Sequence, residues 1–178
     1  MIHLLDAAAA EARLPGLAAL LVDAVAQGAS VNFMAGFPAV AAERFWRAQL
    51  PGIAAGERML FVAEAEGRLL GTVMLSLAPQ PNAPHRAEIG KMLVHSGARR
   101  QGIGRRLLAA AEAAALAAGR TLLLLDTEAG SAGERLYRSC GWTLLGVLPD
   151  HAFTPDGRLA PTSYFYKALG PHRRPEGL

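Results

Sequence analysis

A basic, glycine-containing segment in the middle of the chain has the residue types that bind phosphate groups. It separates an apolar run that ends near Val94 from an alanine-rich helical pattern that extends to about Ala118, and it reads Arg99-Arg100-Gln101-Gly102-Ile103-Gly104-Arg105-Arg106. The start of a helix leaves about four backbone N–H groups without partners and carries roughly half a positive charge, so anions bind there. Glycines let the backbone approach a ligand closely, and arginines supply forked donors. The segment therefore predicts a pyrophosphate site.

Two other kinds of glycine loop do not fit this segment. A Walker loop ends in Gly-Lys-Ser/Thr, and a dinucleotide fingerprint requires a third glycine where this chain has Leu107. The spacing Arg99-x-x-Gly102-x-Gly104 instead follows the pattern Q/R-x-x-G-x-G/A. In this pattern the chain resembles the GNAT superfamily of N-acetyltransferases, whose loop holds the pyrophosphate of coenzyme A. An arginine-rich helix start could also be structural or bind anions generically.

Composition favours a globular protein without disulfides or metals. The 178 residues are 52% hydrophobic and 19% charged, which is typical of a chain that buries its own core. The net charge of +3 is modest and lies mainly at the glycine loop and the C-terminal tail, so no nucleic-acid-binding face is expected. Cys140 is the single cysteine, and His85, His95 and His151 are too scattered to form a metal site.

The length and the apolar runs predict how the chain is organised. No apolar run approaches the roughly 18 residues that a membrane span requires, and the first residues lack the basic segment of a signal peptide. We therefore expect a cytoplasmic protein with one domain over residues 1–170 and a flexible tail over residues 171–178.

Local patterns predict the order of helices and strands. Pro15 and the stripe that follows it predict a helix ending at Gly28, and Pro38 opens a second helix. Phe33, in the loop between them, could line a pocket, although core packing is favoured. Further along we expect a hairpin of strands 59–64 and 69–77, an extended segment over 87–95, a helix from the glycine loop to Gly119, a strand buried on both faces over 121–126, a short helix over 131–139, and strands over 142–148 and 162–167.

The resemblance to GNAT acetyltransferases extends from about residue 59 to residue 167. An acid-bearing strand, the glycine loop, a strand ending in Asp126 and a helix carrying Tyr137 follow one another as in that family, and Leu136-Tyr137 with Gly141-Trp142 repeats its helix before the sixth strand. The resemblance implies a single-domain, mixed α/β (α+β) fold. Its central sheet would be mixed and splayed, with about six or seven strands flanked by helices.

Within the family, three stretches resemble the tabtoxin-resistance-type acetyltransferases. They are His85-Arg86-Ala87-Glu88, Leu125-Asp126-Thr127-Glu128-Ala129-Gly130-Ser131, and Pro155-Asp156-Gly157 with the later Tyr164-Phe165-Tyr166-Lys167. Two residues depart from the family pattern. Arg100 stands where the loop usually has glycine, which adds an anion contact, and Gly130 stands where many members have an asparagine that contacts the cofactor arm.

Acetylation of an amine requires a base, because an ammonium ion has no lone pair with which to attack a thioester. Glu88 lies in an otherwise apolar run, where partial burial would raise its pKa, and it is our candidate base; a paired acid at a strand edge is the alternative. The resemblance places Tyr137 near the cofactor sulfur, where it donates to the departing thiolate; a core tyrosine is the alternative. Asp126 could bind the substrate cation or orient a water, and an Asx turn is equally compatible.

The resemblance also assigns the residues that hold acetyl-CoA. The strand with Met92, Leu93 and Val94 is expected to diverge from its neighbour, so that its free amides take the pantetheine arm and polarise the thioester carbonyl. Further cofactor contacts are expected from Ser131 and from the loop residues Arg99, Arg100, Gln101, Gly102, Ile103, Gly104 and Arg105.

These inferences lead to one favoured function and two alternatives. We expect an acetyl-CoA-dependent N-acetyltransferase that acts on a primary amine of a small molecule, by direct attack in a ternary complex. Acetylation of a protein or an RNA-linked amine is the first alternative, and a non-catalytic acyl-CoA-binding regulatory module is the second. Neither a nucleic acid nor a membrane is expected as a partner, and a homodimer is left open.

Overall fold

The computed structural model describes residues 1–170, in which a mixed seven-stranded sheet is covered by helices on both faces. The tail expected over residues 171–178 lies outside the described residues. The strands are β1 (Ile2–Leu5), β2 (Arg58–Ala65), β3 (Arg68–Leu77), β4 (Arg86–Val94), β5 (Leu122–Glu128), β6 (Thr143–Phe153) and β7 (Leu159–Ala168). The helices are α1 (Ala7–Ala12), α2 (Leu14–Ala26), α3 (Ala39–Arg47), α4 (Leu50–Ala54), α5 (Ile103–Ala117) and α6 (Ala132–Ser139), with a 3₁₀ turn at Ser96–Ala98.

The sheet changes from antiparallel to parallel pairing at its centre. Its strand order is β1-β2-β3-β4-β5-β7-β6, and β4 and β5 are its parallel pair. Parallel neighbours need a long crossover, and the glycine loop with α5 supplies it. The predicted fold class, a mixed and splayed sheet flanked by helices, is confirmed.

Each face of the sheet has its own hydrophobic core. Leu107 and Ala111 of α5 pack on one face together with Tyr137 of α6, and we call this the α5 face. Leu21 of α2 and Trp46 of α3 pack on the other, which we call the α3 face. Because side chains alternate along a strand, each strand residue can be assigned to one of these faces.

A bulge in β4 interrupts that alternation. Thr72 pairs with Leu93 and Met74 pairs with Gly90, so one residue of β3 lies opposite two of β4. The extra residue is Lys91, whose φ of +47° is uncommon for a residue other than glycine. The bulge therefore reverses the faces of the strand on either side of it: Ile89 belongs to the core of the α5 face, and Leu93 to that of the α3 face.

The two central strands separate soon after they meet. β4 pairs with β5 only from Arg86 to Glu88, opposite Leu122 to Leu124. Beyond this point β5 continues its pairing with β7, and β4 continues with β3. Within residues 1–170, the side of Met92, Leu93 and Val94 that faces β5 thus has no strand partner, as the predicted splayed sheet requires.

Most elements expected from local patterns are present, and three were missed. The helix after Pro15, the hairpin, α5 and α6 lie within a few residues of their predicted bounds, whereas β6 and β7 are longer than predicted. The sequence analysis did not predict β1, α1 or α4. One prediction was wrong: β5 is fully buried on one face only, at Leu123 and Leu125, because the separation from β4 leaves Asp126 exposed on the other. No helix among residues 1–170 is long and apolar enough to cross a bilayer.

Candidate active site

The glycine loop presents an open helix start. Gly102 is the N-cap of α5 with a φ of +72°, and no side chain caps the helix. A Cβ atom added at Gly102 would have no protein atom within 4 Å, so the space in front of these amides is open. Arg100 also has a positive φ, +65°, which explains physically why glycine suits this position. Arg99, Arg100 and Gln101 are exposed. The loop fits a pyrophosphate group through backbone amides and two free arginines.

Three predicted cofactor residues of this loop have structural contacts of their own. The Ile103 side chain is 2% exposed and lies in the core, so Ile103 can offer a ligand only its backbone. A Cβ at Gly104 would approach Leu136 Cδ2 to 2.9 Å, so this glycine allows α5 and α6 to pack closely. The Arg105 guanidinium donates to the carbonyl and hydroxyl oxygens of Ser139 at 3.2 and 3.1 Å. Arg105 is thus paired with α6, whereas Arg99 and Arg100 make no side-chain hydrogen bond within residues 1–170.

Two hydrogen bonds to Asp23, which the sequence analysis did not predict, fix the turn before the loop. The backbone N–H and hydroxyl of Ser96 donate to the Asp23 carboxylate of α2 at 2.8 and 2.7 Å. Burial tends to raise the pKa of Asp23, but these hydrogen bonds outweigh it and the pKa is lowered. Asp23 therefore remains ionised and ties the end of β4 to the α3 face.

Ser131, a predicted cofactor residue, begins α6 as its N-cap. The hydroxyl accepts from the Glu134 N–H at 3.1 Å, and Glu134 Oε2 accepts from the Gly130 N–H at 2.5 Å. Glu134 also accepts from Arg138 and Ser163, and the Gly130 bond is the main cause of its lowered pKa. The sequence Ser-x-x-Glu is a capping-box signal that could have identified this arrangement.

The two candidate acids, Glu88 and Asp126, lie on the same face of the sheet beside the gap. Both have strand neighbours whose side chains are in the core of the α5 face, so their own side chains project to the α3 face. Within residues 1–170 neither carboxylate makes a hydrogen bond or ion pair. The alternatives, a paired acid at residue 88 and an Asx turn at residue 126, are therefore not seen.

The environment makes Glu88 a stronger base than an ordinary glutamate. Partial removal from water raises the pKa of Glu88, and the negative charge of Asp126 raises it further. Lys91 and Arg86 act in the opposite direction but do not cancel these effects. The net result is a raised pKa in a group whose oxygens have no protein partner among the described residues.

Lys91 is part of this cluster, and the sequence analysis did not identify it. Its ammonium lies 5.3 Å from the centroid of the Phe45 ring of α3, on the same face as the two acids. Burial lowers its pKa, while Asp126 and Glu88 raise it, with burial the larger effect. A glycine followed by a lysine inside an apolar strand, Gly90-Lys91, is the sequence signal of a bulge that could have found it.

Tyr137 approaches the gap from the α5 face. It is 6% exposed and packs against Trp142 and Phe165, at ring-centroid distances of 6.0 and 6.3 Å. Burial raises the pKa of Tyr137 far above its usual range, and the Asp126 charge adds to this effect. Within the described residues its hydroxyl makes no hydrogen bond, so the phenol is neutral and its proton is available to a ligand.

An aromatic wall borders the cluster on the α3 face. Phe33 stacks on Phe37 at a centroid distance of 4.1 Å and meets Phe45 edge-on at 5.3 Å. All three rings are half-buried and pack against the core of this face. Phe33 therefore takes part in core packing, as favoured from the sequence, and also has an open side beside the cluster. Among residues 1–170 no group of three or more His, Cys, Asp or Glu side chains is arranged to hold a metal ion.

Several solved structures with this fold are described as acetyltransferases. A ribosomal-protein-alanine N-acetyltransferase from Brucella melitensis is 28% identical, with a TM-score of 0.77 over 94% of this chain and 99% of that one. A protein described as an acetyltransferase from Salmonella typhimurium, solved with its cofactor acetyl-CoA, is 19% identical, with a TM-score of 0.80 over 100% and 98% of the two chains. A protein described as a phosphinothricin N-acetyltransferase is 19% identical, with a TM-score of 0.78 over 96% and 99%.

Sequence comparison gives the same result independently of the fold. The model of the acetyltransferase (GNAT) family matches residues 22–142, a segment that contains the glycine loop, Glu88, Asp126 and Tyr137. This match covers more than half of the chain, which therefore belongs to the GNAT family of acetyltransferases, enzymes that use acetyl-CoA.

Proposed function

We propose that this enzyme transfers the acetyl group of acetyl-CoA to a primary amine of a small molecule, by direct attack in a ternary complex, and that residues 1–170 form the catalytic domain. The observation that carries the proposal is the gap between β4 and β5, with two carboxylates on one face and a phenol on the other that have no partner within residues 1–170. A base and a proton donor on opposite sides of one opening suit an acyl transfer in which the amine and the thiol enter from different faces.

The residues around the gap fit acetyl-CoA. The open amides of Gln101 to Arg105 would hold the pyrophosphate at the N-terminus of α5, with Arg99 and Arg100 as additional donors. The backbone of Met92, Leu93 and Val94 would hold the pantetheine arm on the side where β5 is absent. When bound, the cofactor supplies an activated acetyl group. Ser131 is left a minor role, because its hydroxyl already caps α6.

Glu88 is the group that we assign as general base. Its raised pKa brings it closer to neutrality, where a base transfers protons most effectively, and its oxygens have no competing partner in the described chain. Asp126 would attract the substrate ammonium and hold a water between the amine and Glu88. Its second role is electrostatic, because its charge raises the pKa of Glu88.

Tyr137 would stabilise the departing thiolate by donating a hydrogen bond. Ordinary pKa values of about 10 for a phenol and 8.5 for a thiol make complete proton transfer unfavourable by about 2 kcal/mol. The raised pKa of Tyr137 increases this cost. A hydrogen bond to an ionised acceptor remains favourable, so we expect donation without full transfer.

A protein amine is the second candidate substrate. It is favoured by one observation, the 28% identity to a protein named as a ribosomal-protein-alanine N-acetyltransferase. The small-molecule proposal is supported by the stretches that resemble tabtoxin-resistance-type acetyltransferases, which include Glu88 and Asp126, and we propose membership of that subgroup.

Release of free thiol from acetyl-CoA in the presence of candidate amines distinguishes these substrates. We expect turnover with members of a panel of small primary amines and little turnover with a peptide that begins with alanine. Mass spectrometry of the products should show addition of one acetyl group to nitrogen. Faster acetylation of the peptide would replace the small-molecule proposal by the protein one, and cofactor binding without turnover of any amine would contradict both.

Replacing Gly102 with valine should weaken acetyl-CoA binding by at least about tenfold, or about 1.4 kcal/mol, because its side chain would fill the open space in front of the amides. Calorimetry would measure the affinity. Gly56→Val is the matched control, since Gly56 has the same φ of +72° and equally open surroundings. Both variants should lose stability through backbone strain, and only Gly102→Val should lose affinity. Equal affinities in both would disprove the proposed pyrophosphate site.

Glu88→Gln should reduce kcat/KM by roughly 100-fold or more, with partial recovery at higher pH, where more of the amine is already neutral. Asp126→Asn should shift the acidic limb of the kcat/KM profile to lower pH. The reason is that the Asp126 charge raises the pKa of Glu88, so its removal lowers that pKa. Acetyl-CoA affinity and melting temperature serve as controls. A wild-type rate per folded molecule in Glu88→Gln would show that Glu88 is not the base.

Tyr137→Phe should keep the ring packing against Trp142 and Phe165 but reduce kcat by about 10- to 100-fold, the effect of losing a hydrogen bond to a charged group. Raising the pH should restore little activity, because amine protonation is not affected. The melting temperature of Tyr137→Phe is the control for packing and should change little, because the ring is kept. Equal recovery of Tyr137→Phe and Glu88→Gln at high pH would mean that one of the two roles is misassigned.

A further inference from the structure

Lys91 lies in the candidate site, but the proposed mechanism assigns it no role. The β4 bulge holds its backbone at a φ of +47°, and its half-buried side chain runs along the α3 face to the Phe45 ring. A positive φ is unfavourable for lysine, so the fold maintains this placement against a local cost. The ammonium is thereby held in the cluster with Glu88 and Asp126.

The contacts of Lys91 differ from those of the other lysine in the chain. Lys167 donates to Glu112 at 2.7 Å and to the Cys140 carbonyl at 2.8 Å, so its ammonium is paired. Within residues 1–170 the Lys91 ammonium has no hydrogen bond or ion pair, although Glu88 and Asp126 are near enough to influence its pKa. Its contact with Phe45 leaves the donor N–H groups unused. A half-buried cation with unused donors has the chemistry to bind an anion.

A cation at this place is a disadvantage for the binding of a simple amine. The substrate must bring an ammonium to Glu88 and Asp126, and Lys91 repels that charge. The conflict disappears when the substrate carries a negative group beside its amine. Its ammonium then meets the two carboxylates and its anion meets Lys91, so that opposite charges are paired throughout.

We propose that Lys91 is a specificity-determining residue that binds an anionic group of the substrate, so that the preferred substrates are primary amines bearing a carboxylate or a similar anion a few bonds from the nitrogen. This inference rests on the proposed function. The wall of Phe33, Phe37 and Phe45 borders the same space and would contact the apolar part of such a molecule.

The test compares amino acids with their own carboxamides, which have the same shape but lack the negative charge. Suitable pairs derive from glycine, β-alanine, 4-aminobutyrate and L-leucine, so that chain length reports the distance between the ammonium and the anion. For the best pair we expect the wild-type kcat/KM to be at least about tenfold higher for the acid than for the amide. Measurements belong on the pH plateau, above the acidic limb set by Glu88.

Substitution of Lys91 should change this ratio and not merely the rate. In Lys91→Met, which keeps the length of the side chain without its charge, the acid-to-amide ratio should fall to about one or below. Lys91→Arg keeps the charge and should retain a preference for the acid. Arg44→Gln, which removes an exposed cation from α3 next to Phe45, is the matched control and should leave the ratio unchanged.

The outcomes separate this inference from the proposed function. Acetylation of amines without a preference for the acid, or an equal loss for acid and amide in Lys91→Met, would overturn the role of Lys91 and leave the acetyl transfer intact. Binding of acetyl-CoA with no amine turned over would overturn both. If Lys91→Met does not fold, competition on the wild type decides: 4-methylpentanoate should inhibit acetylation of leucine more strongly than 4-methylpentanamide, and equal inhibition would overturn the inference.

Discussion

The site depends on the separation of two parallel strands after three paired residues. β4 and β5 pair only up to Glu88 and Leu124, whereas β3 and β7, on their outer sides, remain paired with them beyond that point. The bulge at Lys91 adds a residue to β4 and bends it at the point where the strands part. A regular sheet would have filled this space with hydrogen bonds, and neither a cofactor arm nor a substrate could have passed between the strands.

Asp126 links the two faces of the gap electrostatically. Its charge raises the pKa of Glu88 on its own face and the pKa of Tyr137 on the opposite one. The first effect strengthens a base, and the second keeps a phenol protonated, so one carboxylate favours both forms that an acyl transfer to an amine requires. Asp126 lies in the part of β5 that has separated from β4, so it borders the gap.

The sequence was most informative where the signal is local. A glycine loop followed by an amphipathic helix can be recognised from neighbouring residues, and the position of α5 and its start at the glycine loop were predicted correctly. The bulge at Lys91 was missed because the local signal, Gly90-Lys91, is weak on its own, and the extra residue is defined by the pairing of β4 with a second strand. β1 has four residues and exists through its pairing with β2, far along the chain, so its own pattern is too short to read. The resemblance assigned Ser131 to the cofactor, and this assignment stays a prediction; the Ser-x-x-Glu pattern with Glu134 was the physical signal of the helix start that it forms.

The packing of α5 against α6 connects the two ends of the proposed cofactor site. Gly104, at the start of α5, allows the close approach of Leu136 in α6, and Arg105 donates to Ser139 at the end of that helix. Tyr137 is the residue after Leu136, so the distance from the open amides to the phenol is set by contacts between helices and does not require the cofactor. An enzyme that must place a thioester beside a base gains from such preorganisation, because binding energy is not spent on arranging the donors. Loop glycines that look like ligand contacts in the sequence can thus act through packing, by fixing where the chemistry takes place.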